Sequence, residues 1–222
     1  MSDSIIANVS EIFGNTIQGE GPFTGVPATF IRLHGCKNYC PYCDSKYSWQ
    51  GEPTKMSMAE IYAKVNTFRD QLIVLTGGEP LMQPDVVKDF CNHYTETPYK
   101  LQIETSGKVS VTEELAETMC AQAVVICSPK YLNGIWFTAP DFDASIIDYF
   151  KFVVRDINDI LAILLFIAEY DIDHTRVYLM PEGASRAEQI QKMPFVVEQC
   201  VKHGFKMSPR LHVLIWDTKR GV

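Results

Sequence analysis

The chain carries the stretch Cys36-Lys37-Asn38-Tyr39-Cys40-Pro41-Tyr42-Cys43-Asp44-Ser45, in which three cysteines have the spacing C-x3-C-x2-C. One short loop therefore presents three thiolates, which are soft ligands that suit iron–sulfur clusters or zinc. A structural zinc site normally closes with a fourth protein ligand. Disulfides are not expected, because so tight an odd triplet cannot pair internally and nothing suggests export. The triplet alone leaves three alternatives: a cluster open at one corner, half of a zinc site, or core cysteines.

Length and composition limit the class of protein. With 222 residues, of which 46% are hydrophobic, we expect one α/β domain spanning residues 1–222. A net charge of −7 disfavours direct binding of nucleic acid and favours a small-molecule substrate. No apolar run is long enough to cross a membrane, and the first residues do not resemble a signal peptide. Seven cysteines without a secretion signal indicate a reducing compartment, so we expect the cytoplasm.

Strand-like and helix-like stretches alternate along the chain, which is the pattern of a parallel α/β sheet. We predict six strands at 28–34, 72–75, 100–104, 123–127, 149–154 and 176–180, and a last one at about 205–211. Helices are predicted at about 57–68, 84–94, 112–120, 156–168 and 185–203, the last with a break near Pro194. Six strand–helix units are fewer than the eight of a full barrel. The pattern alone allows a shortened barrel or a doubly wound sheet.

Polar residues mark the carboxyl ends of the predicted strands. Cys36, Thr76, Glu104, Ser128 and Met180 each fall just past a strand. In a parallel α/β fold these ends lie on one face, so residues distant in sequence share one mouth. We therefore expect the functional site at this face.

A second motif, Gly77-Gly78-Glu79-Pro80, follows the second of the six strands. Glycines let a backbone approach a ligand closely. A cysteine loop after one strand and Gly-Gly-Glu after the next resembles the radical S-adenosylmethionine (SAM) enzymes. That resemblance implies a cluster on three cysteines, with SAM on the open iron and its ammonium near Glu79.

Further motifs narrow the resemblance. They are Glu11-Ile12-Phe13, Thr16 to Gly21 (TIQGEG), Ile103 to Gly107 (IETSG), Ser128-Pro129-Lys130, and the terminal segment from Leu211-His212 to Val222. In this order they resemble the 7-carboxy-7-deazaguanine synthase family, over nearly the whole chain. The resemblance implies a shortened, partial (β/α)6-type parallel barrel whose C-terminal segment closes the active site. It also implies a 4Fe-4S cluster, SAM, Mg2+ and a homodimer.

The resemblance assigns roles residue by residue. The metal ligands implied are Cys36, Cys40 and Cys43 for the cluster and Ser45 for magnesium. The SAM contacts implied are Tyr42, Cys43, Asp44, Gly78, Glu79, Ser128, Pro129 and Lys130. The substrate contacts implied are Ile17, Gln18, Gly19, Arg32, Thr76, Glu104, His212 and the carboxylate of Val222. The segment Met180-Pro181-Glu182-Gly183 departs from part of the family, and Glu182 is expected to replace contacts made there by other residues.

The implied reaction turns 6-carboxy-5,6,7,8-tetrahydropterin into 7-carboxy-7-deazaguanine with loss of ammonia, on the path to queuosine and other 7-deazapurines. Glu104 can accept hydrogen bonds from the amino-pyrimidinone edge of such a pterin, and Arg32 or His212 could add positive charge near its carboxylate. An electron donor such as flavodoxin or ferredoxin is also implied. Two alternatives are an activase of a glycyl-radical enzyme, which the TIQGEG and terminal segments disfavour, and a non-catalytic iron–sulfur or zinc protein.

Overall fold

The computed structural model describes residues 5–41, 43–95, 100–219 and 221. Nine strands form one sheet in the order β11-β10-β9-β6-β5-β4-β2-β1-β3. Their bounds are β1 Ile6–Ile17, β2 Pro27–Leu33, β3 Thr54–Ser57, β4 Leu72–Gly77, β5 Lys100–Thr105, β6 Ala123–Cys127, β9 Tyr149–Val154, β10 Val177–Pro181 and β11 Lys206–Met207. A separate hairpin pairs β7 (Tyr131–Leu132) with β8 (Ile135–Trp136).

The six predicted strands are confirmed as β2, β4, β5, β6, β9 and β10, which pair in parallel in chain order. A parallel sheet whose strands follow chain order, each pair joined by a crossover, winds in one direction as a barrel does. Among the described residues the two outer strands are β3 and β11, so the sheet is not closed. The fold is the expected partial barrel.

Six helices connect or follow these strands: α1 Met58–Val65, α2 Pro84–Tyr94, α3 Glu113–Gln122, α4 Ile157–Glu169, α5 Arg186–His203 and α6 Leu211–Trp216. Helix α1 begins at a capping box in which Ser57 and Glu60 bond each other's backbone N–H. Helix α4 begins at Asp156, whose carboxylate accepts hydrogen bonds from two N–H groups of its first turn. These caps fix where each helix leaves the sheet, and therefore which strand ends remain open.

Alternation along the strands separates a helix-facing core from an inner surface. Side chains such as Ile31, Ile103 and Phe152 are fully buried in the large core beneath the helices. The residues between them, such as Arg32 and Glu104, point to the opposite face of the sheet because strand side chains alternate. This inner face, called the lumen below, carries the polar side chains of the site.

Three predictions about elements are wrong. The first strand of the sheet is β1, which lies antiparallel to β2 and contains the Glu11-Ile12-Phe13 motif. Helix α5 runs unbroken through Pro194, although proline removes the N–H that would pair with the carbonyl of Ile190, a residue that is 58% exposed. The last strand covers only Lys206–Met207, because Pro209 follows and has no N–H for the ladder.

Across the described ranges, no helix is both long and apolar enough to cross a bilayer.

Candidate active site

A row of polar side chains crosses the carboxyl ends of three neighbouring strands. Arg32 of β2 is the register partner of Thr76 in β4. Leu75 of β4 pairs with Ile103 of β5, which places Thr76 beside Glu104. Thr76 and Glu104, predicted from strand ends, therefore stand side by side in the lumen with Arg32, which the family resemblance assigns to the substrate.

The cysteine loop follows β2 and rises above this row. Its start is fixed where Gly35 N–H donates to Ser48 O at 2.8 Å, and its middle where Cys43 N–H donates to Cys40 O at 3.1 Å. Burial raises the pKa of the Cys36 and Cys40 thiols, and each also feels the charge of Cys43. All seven cysteines are free of disulfides. The loop thus presents three thiols that a metal must deprotonate in order to bind.

The arrangement of the thiols bears on the kind of metal centre. Across the described ranges no three His, Cys, Asp or Glu side chains converge closely enough to hold a single metal ion. A four-iron cluster takes each thiolate on a different iron, so its ligands stand further apart than those of one zinc ion. Three free thiols on one loop are a donor set of the kind that holds an iron–sulfur cluster.

The Gly-Gly turn after β4 packs directly against the cysteine loop. Gly78 N–H donates to Leu33 O at 3.1 Å, and Glu79 N–H donates to Gly35 O at 2.8 Å. A Cβ on Gly78 would lie 2.8 Å from Cys36 Cβ and would collide with Gly35 O. Only glycine permits this approach, which packs the turn against the start of the cysteine loop.

Glu79 is held in hydrogen bonds to the end of β5. Its side chain is buried, and both carboxylate oxygens accept hydrogen bonds from the end of β5: Oε1 from Thr105 Oγ1 at 2.8 Å, and Oε2 from Ser106 N–H at 2.8 Å and from Ser106 Oγ. The carboxylate therefore ties the Gly-Gly turn to β5. A contact with the SAM ammonium would require it to give up one of these bonds, so that role stays a prediction.

The Ser128-Pro129-Lys130 turn follows β6 on the same face. Ser128 N–H donates to Thr105 O at 2.8 Å, and Lys130 Nζ donates to Ser128 Oγ at 2.9 Å. Lys130 also lies near enough to Cys40 to lower its pKa, against the larger effect of burial. The turn and the cysteine loop therefore face each other across the mouth.

The segment after β1 and the start of α6 close the side of the lumen together. Leu211 N–H donates to Gly19 O at 2.8 Å, and Gly21 N–H donates to Ser208 Oγ at 2.7 Å. A Cβ on Gly19 would collide with the His212 ring, so glycine is required for this contact too. The structure thus brings together Gln18, Gly19 and His212, which the family resemblance assigns to one pocket.

A chain of ion pairs crosses the mouth and was not predicted. Lys151 of β9 donates to Glu104 Oε2 at 3.0 Å and to Glu20 Oε2 at 2.7 Å. Arg210 donates from Nε to Glu20 Oε1 at 2.9 Å and pairs through Nη2 with Asp44 of the cysteine loop. Five charged side chains therefore link the end of β5 to the cysteine loop.

Electrostatics fix the charge states along this chain. Burial alone would raise the pKa of Glu20, but Lys151 and Arg210 outweigh it and hold that pKa well below its ordinary value. Burial alone would lower the pKa of Lys151, but Glu104 and Glu20 raise it. Burial alone would raise the pKa of Asp44, but Arg210, the hydrogen bond from Ser45 and Arg32 together lower it. Glu20 and Asp44 are carboxylates, and Lys151 an ammonium, throughout the neutral range.

Of the two positive charges predicted near the substrate carboxylate, the one on His212 needs correction. Burial lowers the pKa of His212 below its ordinary value of 6.5, and Glu20 only partly offsets this, so its ring is neutral near pH 7. Arg32 keeps its charge but pairs through Nε with Glu11 Oε1 at 2.8 Å, and Tyr47 donates to the same oxygen at 2.7 Å. His212 therefore offers hydrogen bonds rather than charge to a substrate carboxylate.

The remaining assigned residues have these places. Ser45 Oγ donates to Asp44 Oδ1 at 3.0 Å and lies 3.9 Å from Cys43 Sγ, beside the cluster loop. Glu182, expected to replace SAM contacts, pairs with Lys192 of α5. Ile17 ends β1. Tyr42 and Val222 lie outside the described residues.

Sequence signals for the unpredicted residues exist. Lys151 is the one charged residue in the strand Tyr149-Phe150-Lys151-Phe152-Val153-Val154. A strand in the middle of a parallel sheet is buried on both faces, and a lone lysine there needs a partner of opposite charge. Glu20 lies within the TIQGEG motif, but Arg210 has no local signal.

Comparisons with known proteins identify the family of this chain. Residues 30–191 match the Radical SAM superfamily. A 7-carboxy-7-deazaguanine synthase of Pyrobaculum aerophilum is 35% identical, over 100% of both chains, and one of Hyperthermus butylicus is 31% identical, over 95% of this chain and 93% of its own. A crystal structure of QueE from Escherichia coli shares the fold, with a TM-score of 0.72 over 95% of this chain and 96% of that one, at 24% identity. The chain therefore belongs to the radical SAM superfamily and, within it, to the 7-carboxy-7-deazaguanine synthase family.

Proposed function

We propose that this chain converts 6-carboxy-5,6,7,8-tetrahydropterin to 7-carboxy-7-deazaguanine with loss of ammonia. The observation that carries the proposal is the row Arg32, Thr76 and Glu104, in register at one mouth, with Gly19 and His212 closing its side. A pterin offers a matching set of groups: an amino-pyrimidinone edge of N–H donors and a carboxylate. Glu104 accepts from the first, and the donors Arg32 and His212 serve the second.

The cofactor half of the site fits the groups that the superfamily uses. Cys36, Cys40 and Cys43 would hold a 4Fe-4S cluster, and SAM would lie along the Gly78 backbone and the Ser128-Pro129-Lys130 turn. When bound, cluster and SAM supply the 5′-deoxyadenosyl radical that abstracts a substrate hydrogen. The protein's own part is to orient the pterin against that site and to exclude water from it.

The deciding experiment is turnover by the reconstituted protein. After anaerobic reconstitution and reduction, we expect SAM cleavage with 6-carboxytetrahydropterin and a deazaguanine product detected by mass spectrometry. A zinc protein would be colourless, and an electron carrier would be brown yet leave SAM intact. Pterin-independent SAM cleavage with no deazaguanine would overturn the proposal in favour of an activase.

Magnesium is proposed to bind through Ser45. A hydroxyl is a hard oxygen ligand of the kind that magnesium prefers, and Asp44 Oδ1, 3.0 Å from Ser45 Oγ, adds negative charge nearby. Ser45→Ala should weaken magnesium activation more than SAM binding. Ser145→Ala, at an exposed position before β9, is the matched control. Turnover indifferent to both magnesium and chelator would contradict this site.

A homodimer is also proposed, and exposed apolar stripes support it. On α4, Ile157, Leu161 and Leu165 recur every four residues, and Leu165 is 72% exposed. Val197 and Val201 continue such a stripe on α5, the next helix along the sheet. Exposed apolar stripes on two helices are the kind of surface that an interface covers. Leu165→Glu should shift light scattering from dimer to monomer, and an unchanged mass would exclude α4 from the interface.

The remaining partners follow from the chemistry proposed. The reduced cluster requires a one-electron donor such as flavodoxin or ferredoxin, and free thiols suit the cytoplasm. The chain is proposed to act as one domain, with the segment from Arg210 through α6 closing the active site. Anaerobic turnover with purified flavodoxin and ferredoxin in place of a chemical reductant tests the donor, and failure with both would exclude them.

A further inference from the structure

Lys151 is a buried lysine that none of the assigned roles uses. It is the third residue of β9, and its neighbours Phe150 and Phe152 are fully buried in the core beneath the helices. Strand alternation turns Lys151 the other way, into the lumen, where it is only 4% exposed. A buried ammonium without a partner is costly, so its position is set by the charges it meets.

The contacts of Lys151 converge on the residue proposed to read the pterin. Nζ donates to Glu104 Oε2 at 3.0 Å and Oε1 at 3.2 Å, and to Glu20 Oε2 at 2.7 Å. Gln102 Nε2 donates to Glu104 Oε1 at 2.6 Å. The Glu104 carboxylate is therefore fixed from two sides, while the second oxygen keeps room for a further donor.

The other charged or titratable groups around Lys151 come from three segments. The loop after β1 contributes Glu20, the segment leading into α6 contributes Arg210 and His212, and the cysteine loop contributes Asp44. Arg210 and Asp44 lie beyond Glu20, so within the described part of the chain Lys151 is the cation in contact with Glu104. Removing it would leave Glu104 and Glu20 facing each other in one buried space.

We propose that Lys151 is a positioning residue that holds the Glu104 carboxylate aimed at the N–H donors of the pterin's amino-pyrimidinone edge. The inference rests on the proposed function. Lys151 remains an ammonium because its carboxylate partners raise its pKa, so it acts as a fixed charge and not as a proton donor. An ionised carboxylate accepts only, whereas a protonated one presents a donor to the ligand's own donors. Lys151 thereby selects ligands with an N–H-rich edge.

Binding across pH separates this role from a structural one. The protein is the reconstituted holoenzyme with SAM and no reductant, so that the pterin binds without turnover. Dissociation constants for 6-carboxytetrahydropterin are measured between about pH 6 and 8. The proteins compared are wild type, Lys151→Met, Lys151→Arg and the double variant Lys151→Met with Glu20→Gln. Melting temperature, cluster absorbance and SAM affinity report the fold.

For the wild type we expect affinity nearly independent of pH. In Lys151→Met two close carboxylates share the space, and one takes a proton as pH falls. A proton on this pair replaces an acceptor with a donor where the pterin's own donors bind. Affinity should therefore drop at least about tenfold at the acid end, which is the loss expected for a buried hydrogen bond to a charged group. The double variant, with one carboxylate left, should lose most of this pH dependence.

Each outcome decides the inference. Lys151→Arg keeps the cation, so its affinity for the pterin should be independent of pH even if the affinity itself changes. If Lys151→Met loses its cluster, the pH dependence of Lys151→Arg is the test of the proposal. Pterin binding by Lys151→Met that matches wild type across the range would overturn the proposal, as would a pH-dependent Lys151→Arg. A wild type that binds no pterin would instead overturn the proposed function.

Discussion

The two sides of the mouth are held together by different chemistry. On the substrate side, Glu104, Lys151, Glu20 and Arg210 form a continuous chain of ion pairs. On the cofactor side, the cysteine loop and the Gly-Gly turn are joined by backbone hydrogen bonds, such as Glu79 N–H to Gly35 O at 2.8 Å. The first side has its charges set by folding alone, whereas the second acquires charge when its thiols lose protons to a metal.

That difference implies separable failures. Damage to the ion pairs should weaken pterin binding and leave SAM binding intact. Damage to the cysteine loop should remove cluster and SAM binding. It should leave the ion pairs among Glu104, Lys151, Glu20 and Arg210 formed. The following predictions test this separation, from the largest expected effect to the smallest.

Cys40→Ala should abolish both the visible absorbance of the cluster and SAM cleavage, because two thiolates cannot hold a four-iron cluster in place of three. Cys200→Ala is the matched control, since Cys200 is also a buried free thiol but packs in the helix-facing core. It should cost only about 1–3 kcal/mol of stability and keep its cluster. Cleavage of SAM by Cys40→Ala at the wild-type rate would refute the cluster assignment.

Gly78→Ala should lower SAM affinity by at least about tenfold, or about 1.4 kcal/mol. Its Cβ would collide with Gly35 O and crowd Cys36, and neither belongs to a flexible side chain that could move aside. Calorimetric titration of SAM measures the loss. The comparison variant is Gly134→Ala in the β7–β8 hairpin, where an added Cβ meets nothing within 4 Å and the cost is backbone strain at a φ of +82°. Equal SAM affinity in the two variants would show that the turn lies outside the SAM site.

Glu104→Gln should lower pterin affinity by about tenfold or more, since a buried hydrogen bond to a charged group contributes roughly 1.5–3 kcal/mol. The change keeps the size of the side chain but exchanges one acceptor for a donor. SAM affinity, measured on the same protein, should be nearly unchanged. Equal losses for both ligands would mean that Glu104 supports the whole mouth and would break the separation of the two sides.

His212→Gln should have the smallest effect, which is a less steep loss of stability in acid. Burial lowers the pKa of His212, so the unfolded chain binds its proton first as pH falls. The stability from this residue is therefore complete above about pH 6.5 and is lost below it. Thermal melts between neutral pH and about pH 5.5 should fall less steeply in the variant. An identical fall in both proteins would contradict a buried, neutral ring.

Much of the fold could be predicted because buried parallel strands have a simple signature. Leu72 to Leu75 and Ala123 to Cys127 are short apolar runs between polar turns, and both form central strands. Strand β1 could not be found in this way. It lies near the edge, mixes exposed and buried positions, and shifts register between Val9 and Glu11 and again between Phe13 and Thr16. Such shifts break the period of two on which strand prediction depends.

The residues of the site likewise differ in how far the sequence predicts them. Strand-end residues such as Thr76 and Glu104 were predictable because parallel topology alone brings them together. The partners of these residues were not, since Arg210 reaches Glu20 and Asp44 only through the tertiary fold. The neutral state of His212 also depends on burial, which no local pattern indicates.

The Glu20–Arg210 pair has a consequence for how the protein is made. Its two residues are 190 positions apart. During synthesis the TIQGEG segment leaves the ribosome early. Glu20 can pair with Arg210 only after nearly the whole chain has been made. The sheet can pair strand by strand in chain order meanwhile, since each parallel neighbour is the next strand to emerge. A nascent chain released short of Arg210 would therefore have most of its sheet and an unassembled mouth.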